Sequence, residues 1–69
     1  MRLSARNQLS GRVSDIEVGS VMTVVRVDLD GGQQVTASVT KEAVEELGLS
    51  VGSKVSAVIK STEVMLGVE

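Results

Sequence analysis

The sequence contains no cysteine, no histidine and no Phe, Tyr or Trp, and each absence removes a class of function. Without cysteine or histidine there is no thiolate nucleophile, no imidazole to act as a general base near neutral pH, and no ligand set for a structural zinc. Without aromatics there is no platform on which nucleic-acid bases could stack, and the core lacks the side chains that bury the most area each. The net charge of −2 comes from nine acids and seven bases spread along the chain, which argues against a basic stripe for a polyanion. There is no phosphate-cradling glycine loop and no carboxylate pair spaced for acid/base work. No apolar run of roughly 7 to 15 residues follows Met1-Arg2-Leu3-Ser4, and none approaches the ~20 of a membrane helix. These absences point away from an enzyme, a nucleic-acid partner and a membrane partner, and towards a cytoplasmic protein.

What is present is a 69-residue chain, 42% hydrophobic, with fourteen valines and six leucines. It reads as one domain over residues 1–69, with no linker, low-complexity stretch or repeat. A single core of this size supplies roughly 3 to 5 kcal/mol. No disulfide or metal can reinforce it, so association with further copies is the expected remedy.

The patterning is mainly that of strands. Arg2 to Ile16 alternates, with Leu3, Ala5, Leu9 and Val13 on one face, and a bulge between Gly11 and Asp15 would return Ile16 to that face. Gly19-Ser20 reads as a turn. Val21 to Leu29 is the second strand, with Val21, Thr23, Val25, Val27 and Leu29 on one side. Asp28-Leu29-Asp30-Gly31-Gly32 carries the residues of a tight hairpin turn. Gln33 to Thr40 is the third strand, with Val35, Ala37 and Val39 inward. The period then changes to a short helix, with Thr40 as N-cap and Gly48 as stop. Lys54 to Ser61 and Glu63 to Val68 read as fourth and fifth strands. Five strands with one short helix between the third and fourth is the element order of a small OB-like barrel, although five-stranded chains have other solutions on pattern alone.

Two stretches combine cations with hydroxyls inside strand-like runs: Ser4-Ala5-Arg6-Asn7-Gln8-Leu9 and Val58-Ile59-Lys60-Ser61. If they pair in space, Ser4, Arg6, Lys60 and Ser61 form a donor cluster with no carboxylate among them, which describes an oxyanion site. Taken singly, Arg6 and Lys60 read first as solvated strand cations rather than ligands, and Ser4 and Ser61 as ordinary edge or turn residues. Asn7 reads as a pin that holds the strand through local backbone bonds. Arg26 shares a strand face with Asp28, and a surface ion pair is expected for it. Gly19 and Ser20 read as a plain turn whose backbone donors could serve a second anion site.

The segments Ser4-Ala5-Arg6-Asn7-Gln8-Leu9-Ser10-Gly11, Val35-Thr36-Ala37, Leu47-Gly48-Leu49, Ala57-Val58-Ile59-Lys60-Ser61 and Val64-Met65-Leu66-Gly67-Val68 together resemble the molbindins. These are the molybdenum-pterin-binding (Mop) family of small TOBE, OB-like domains, and the likeness covers essentially the whole chain. The resemblance implies intracellular binding and storage or buffering of molybdate, with tungstate as an alternative ion, and no catalytic cofactor. It implies a homohexamer arranged as a trimer of dimers, with the oxyanion held between subunits. Ser4, Ala5, Arg6, Lys60 and Ser61 are then the binding residues, Thr40 approaches from a neighbouring subunit, and backbone N–H groups near Ala5 or Ala43 could complete the shell. The alternative is an OB-type interaction or nucleic-acid module without an oxyanion role, which the missing aromatics disfavour.

The donor set suits that ion. Molybdate is a tetrahedral dianion, deprotonated near neutral pH, so its four oxygens only accept, and no protein residue needs to ligate the metal directly. Arg6 presents a fixed fork of N–H groups, Lys60 three rotatable ones, and the serines one hydroxyl each. Phosphate still carries protons near pH 7 and wants an acceptor, and none of these residues supplies an obligate one. Sulfate can be rejected only by size. Thr40 reads first as an N-cap accepting from the Ala43 N–H, and its hydroxyl proton remains free for an anion.

Overall fold

The structure, a computed structural model, describes residues 1–69. Its elements are β1 (Asn7–Val18), β2 (Met22–Leu29), β3 (Gln34–Thr40), α1 (Lys41–Leu47) and β4 (Lys54–Ile59), followed by a short 3-10 turn at Ser61–Glu63. The strands form one antiparallel sheet in the order β3-β2-β1-β4.

β1 organises the sheet because it changes partner along its length. Asn7 to Arg12 pair with β4, and Gly11 to Val18 pair with β2. At the handover, a Cβ on Gly11 would lie 2.4 Å from the Asp28 carbonyl oxygen and 2.9 Å from Val27 Cγ1. Only a residue without a side chain lets the two strands approach so closely. A register shift between Val13 and Asp15 follows, inside the window expected from the pattern. It returns Ile16 to the core, where it packs half-buried against the cluster of Val13, Val25 and Val27.

The hairpin joining β2 and β3 closes through Gly32 N–H to the Leu29 carbonyl (2.9 Å) and Leu29 N–H to the Gln33 carbonyl (2.7 Å). Gly32 takes φ +94, a conformation that side chains rarely adopt. Helix α1 begins where Thr40 Oγ1 accepts from Ala43 N–H (3.0 Å) and ends at Gly48. It lies against β2 and β3 and turns Val44 towards the core.

That core is small. Val13, Val25 and Val27 are its only buried apolar side chains, with Ile16, Leu29, Val39, Val44 and Val55 half-buried around them. The sheet curls so that its edge strands β3 and β4 line a cleft of about 480 Å³, walled by Val35, Ala37, Val39, Val55, Ala57 and Ile59. No strand of this chain bridges it.

Four strands form rather than the five expected. Glu63 to Val68 lies outside any strand, and Val64, Leu66 and Val68 are exposed, the last at 99%. The alternation there marks a face that would suit burial, but a strand also needs a neighbour for its backbone groups. After β4, bonds from Glu63 N–H to the Lys60 carbonyl and from Val64 N–H to the Ser61 carbonyl turn the chain before that tail begins. The first strand also starts later than expected, at Asn7 rather than Arg2, because β4 ends opposite it at Ile59. Arg26 does form a surface ion pair, but with Asp15 (2.7 Å) and more loosely with Glu17 (3.6 Å). Asp15 is its direct cross-strand partner, while Asp28 accepts from Gln34 Nε2 at 3.0 Å.

Candidate functional site

The last rung of the β1–β4 ladder is Asn7 opposite Ile59. The next residues outward are Arg6 and Lys60, followed by Ala5 and Ser61, so the ladder brings together the two stretches that the sequence singles out. Arg6, Lys60, Ser4 and Ser61 are all exposed and Ala5 is half-buried. Side chains alternate along a strand. Asn7 and Ile59 are half-buried, which leaves their neighbours Arg6 and Lys60 on the solvent side.

Neither cation has a carboxylate within 4.0 Å, since Arg26 makes the only ion pairs. Glu63, the acid nearest Lys60 in sequence, pairs with neither. Two like charges that follow the same end rung of a strand pair disfavour each other, and an anion bound by both would offset that. Two side-chain amides brace this end of the sheet. Asn7 Nδ2 donates to the Ile59 carbonyl (3.2 Å), and Gln8 Nε2 donates to the Ala5 carbonyl (3.1 Å). The Asn7 bond reaches across strands, not along its own, which corrects the local role read from the sequence.

Thr40 and Ala43 lie elsewhere. Thr40 pairs with Met22 on β2, and Met22 also receives the Gly19 N–H on its carbonyl. They therefore sit at the Val18 end of β1, whereas Arg6 and Lys60 sit at the Asn7 end. The twelve residues of β1 separate these two ends along the strand, and the only side-chain hydrogen bond of Thr40 is the one from Ala43 N–H. No hydrogen bond within the chain links Thr40 to Arg6. The Ala43 N–H is already spent on Thr40 Oγ1, so of this pair only the threonine hydroxyl proton is available to an anion. Gly19 and Ser20 lie beside Thr40, and the Gly19 N–H closes its own turn onto the Met22 carbonyl (2.9 Å). That bond favours the plain-turn reading. No group of His, Cys, Asp or Glu side chains is placed to ligate a metal directly.

The family model for the TOBE domain matches residues 3–66. The probable molybdenum-pterin-binding protein of Haemophilus influenzae is 51% identical over 69 residues, the whole of both chains. Among solved structures, MopII from Clostridium pasteurianum has a TM-score of 0.92 at 40% identity, covering 97% of this chain and 100% of that one. The cytoplasmic molybdate-binding protein ModG, in a form with molybdate bound, has a TM-score of 0.95 at 55% identity. It covers 100% of this chain, which spans 49% of the ModG chain. With matches of this identity running from end to end, the chain belongs to the TOBE domain family and, within it, to the molybdenum-pterin-binding proteins, the molbindins.

Proposed function

We propose that this chain binds molybdate between copies of itself and serves as a cytoplasmic store or buffer for the ion, with tungstate as the alternative occupant. The observation that carries the reading is that Arg6 and Lys60 follow directly on the last rung of β1 and β4, two exposed cations with no carboxylate partner. Ser4 and Ser61 flank them, and every side chain in the set can donate to an ion whose oxygens only accept. The name and the bound ion of ModG support the identity of the ligand.

An intersubunit location is supported by the placement of Thr40 at the opposite end of the sheet. A second copy, arriving with its own Thr40 end, would complete the shell. The weak core argues for the same assembly. Three buried valines, an open apolar cleft and a tail with Leu66 95% exposed leave surface that a further copy would cover. A homohexamer built as a trimer of dimers is the arrangement proposed, with no catalytic step and no resident cofactor.

Titration of the purified oligomer with sodium molybdate by calorimetry, together with elemental analysis, tests the reading. Saturable binding and molybdenum retained at a fixed ratio to protein are expected. A folded protein that gives no binding heat and retains neither molybdenum nor tungsten contradicts it.

A further inference from the structure

Along β1, Gly11 and Val13 are buried and Leu9, of the same parity, is 38% exposed, yet the first position of that series, Asn7, is an amide. Alternation places an apolar residue there, and Asn7 is half-buried opposite Ile59. An amide drawn partly out of water is tolerated when it is hydrogen-bonded, and Asn7 Nδ2 meets that condition on the Ile59 carbonyl at 3.2 Å, across 52 residues of sequence. The bond lies at the one rung beyond which the ladder stops. On one side the next residue is Arg6, and on the other it is Lys60.

Taking the oxyanion reading above as its basis, we propose that Asn7 is a positioning residue for the anion. Its amide ties the end of β1 to the end of β4 and so fixes the separation of the two cations that follow. Strand ends fray when their last rungs are unsupported, and two like charges at the tip push in the same direction. An extra cross-strand bond from a short, stiff side chain opposes both. A fixed separation also gives the site a means of discriminating by size. Molybdate and sulfate carry the same charge and the same tetrahedral arrangement of acceptors, so a donor pair of set spacing favours one over the other, whereas a loose pair binds both weakly.

The test uses the full chain with Asn7→Leu, and with Asn7→Ser as the second variant. Leucine suits an inward position facing Ile59, so the ligand-free protein should keep its melting temperature and oligomeric state while losing the bond. Sodium molybdate affinity is measured by calorimetry, and sodium sulfate is measured as its competitor. The expected result is a molybdate affinity about tenfold weaker in both variants, the scale of one hydrogen bond, with sulfate affinity changed by less than about twofold, so that the preference for molybdate narrows.

Wild-type affinity and preference in a folded Asn7→Leu protein would overturn the proposal. So would equal losses for the two ions accompanied by a lower ligand-free melting temperature, which would make Asn7 a support of the fold alone. Failure of the unmodified protein to bind molybdate would strike the oxyanion reading itself, and is distinguishable because no variant is needed to see it.

Discussion

Thr23→Val should make this protein more stable. The Thr23 side chain is fully buried on β2, and its Oγ1 has no hydrogen-bond partner. Its neighbours across the two ladders are Val18 and Val39, and the next inward residues on its own strand are Val25 and Val27. A hydroxyl taken from water into such surroundings without a bond costs about 1 to 3 kcal/mol on mutational scales. Valine keeps the branched Cβ and its stiff χ1, so the substitution removes the polar group without opening a cavity. A gain of about 1 kcal/mol would raise the melting midpoint by roughly 4 to 8 °C in a domain of this size. The assay is a thermal melt of ligand-free protein followed by circular dichroism, at one fixed concentration because an oligomer's midpoint moves with dilution. Molybdate affinity should stay at the wild-type value, since Thr23 lies inside the sheet and away from Arg6. An unchanged or lowered midpoint would refute the reasoning, because it would mean that the hydroxyl contributes a bond to the fold.

Further outcomes follow from the same structure. Arg6→Ala and Lys60→Ala should each weaken molybdate binding roughly ten- to hundredfold, the scale of a charge-assisted bond; calorimetry reads the loss and circular dichroism should show the fold retained. Gly11→Ala should destabilise the fold by about 1 to 3 kcal/mol, as overpacking does, because the new methyl would meet the Asp28 carbonyl at 2.4 Å; chemical denaturation measures it. Saturating molybdate should raise the melting midpoint and suppress dissociation on dilution, by about 2.7 kcal/mol per site at a hundredfold excess over Kd, and native mass spectrometry with and without the ion follows the effect.

Much of the fold was legible because its signals are local. Alternation marked four strands, the Gly31-Gly32 pair marked the hairpin, Thr40 and Gly48 marked the helix ends, and the misplaced Ile16 marked the bulge. The fifth strand was misread because periodicity reports a face that suits burial, while a strand also requires a neighbour, and Val64 to Val68 have none in their own chain. Arg26 was given the wrong partner for a related reason. Spacing along one strand pointed to Asp28, but ladder register sets the contact and placed Asp15 opposite.

Of the proposed site, what could be read in the sequence was its residue types: two cation-and-hydroxyl stretches near the ends of the chain could be named, and the β1–β4 ladder brings the ends of both stretches to Asn7 and Ile59, next to Arg6 and Lys60. The cross-strand work of Asn7 was hidden, although a polar residue at an inward position was a usable signal. The distance between Thr40 and Arg6 was equally hidden, since it depends on which end of the sheet each strand reaches.

The central claim, that one anion is held by residues of two chains, is tested most directly by subunit complementation. Arg6→Ala and Thr40→Ala proteins are prepared separately, unfolded, mixed in equal amounts and refolded, and the number of molybdate sites is counted by calorimetry. Each homogeneous variant should bind weakly or not at all. In the mixture, chains carrying Thr40→Ala still supply Arg6 and chains carrying Arg6→Ala still supply Thr40. Random assembly of a site shared by two chains should then restore wild-type affinity to about one site in four. If no high-affinity site reappears in a properly assembled mixture, Arg6 and Thr40 do not serve one site from different chains, and the intersubunit account is contradicted.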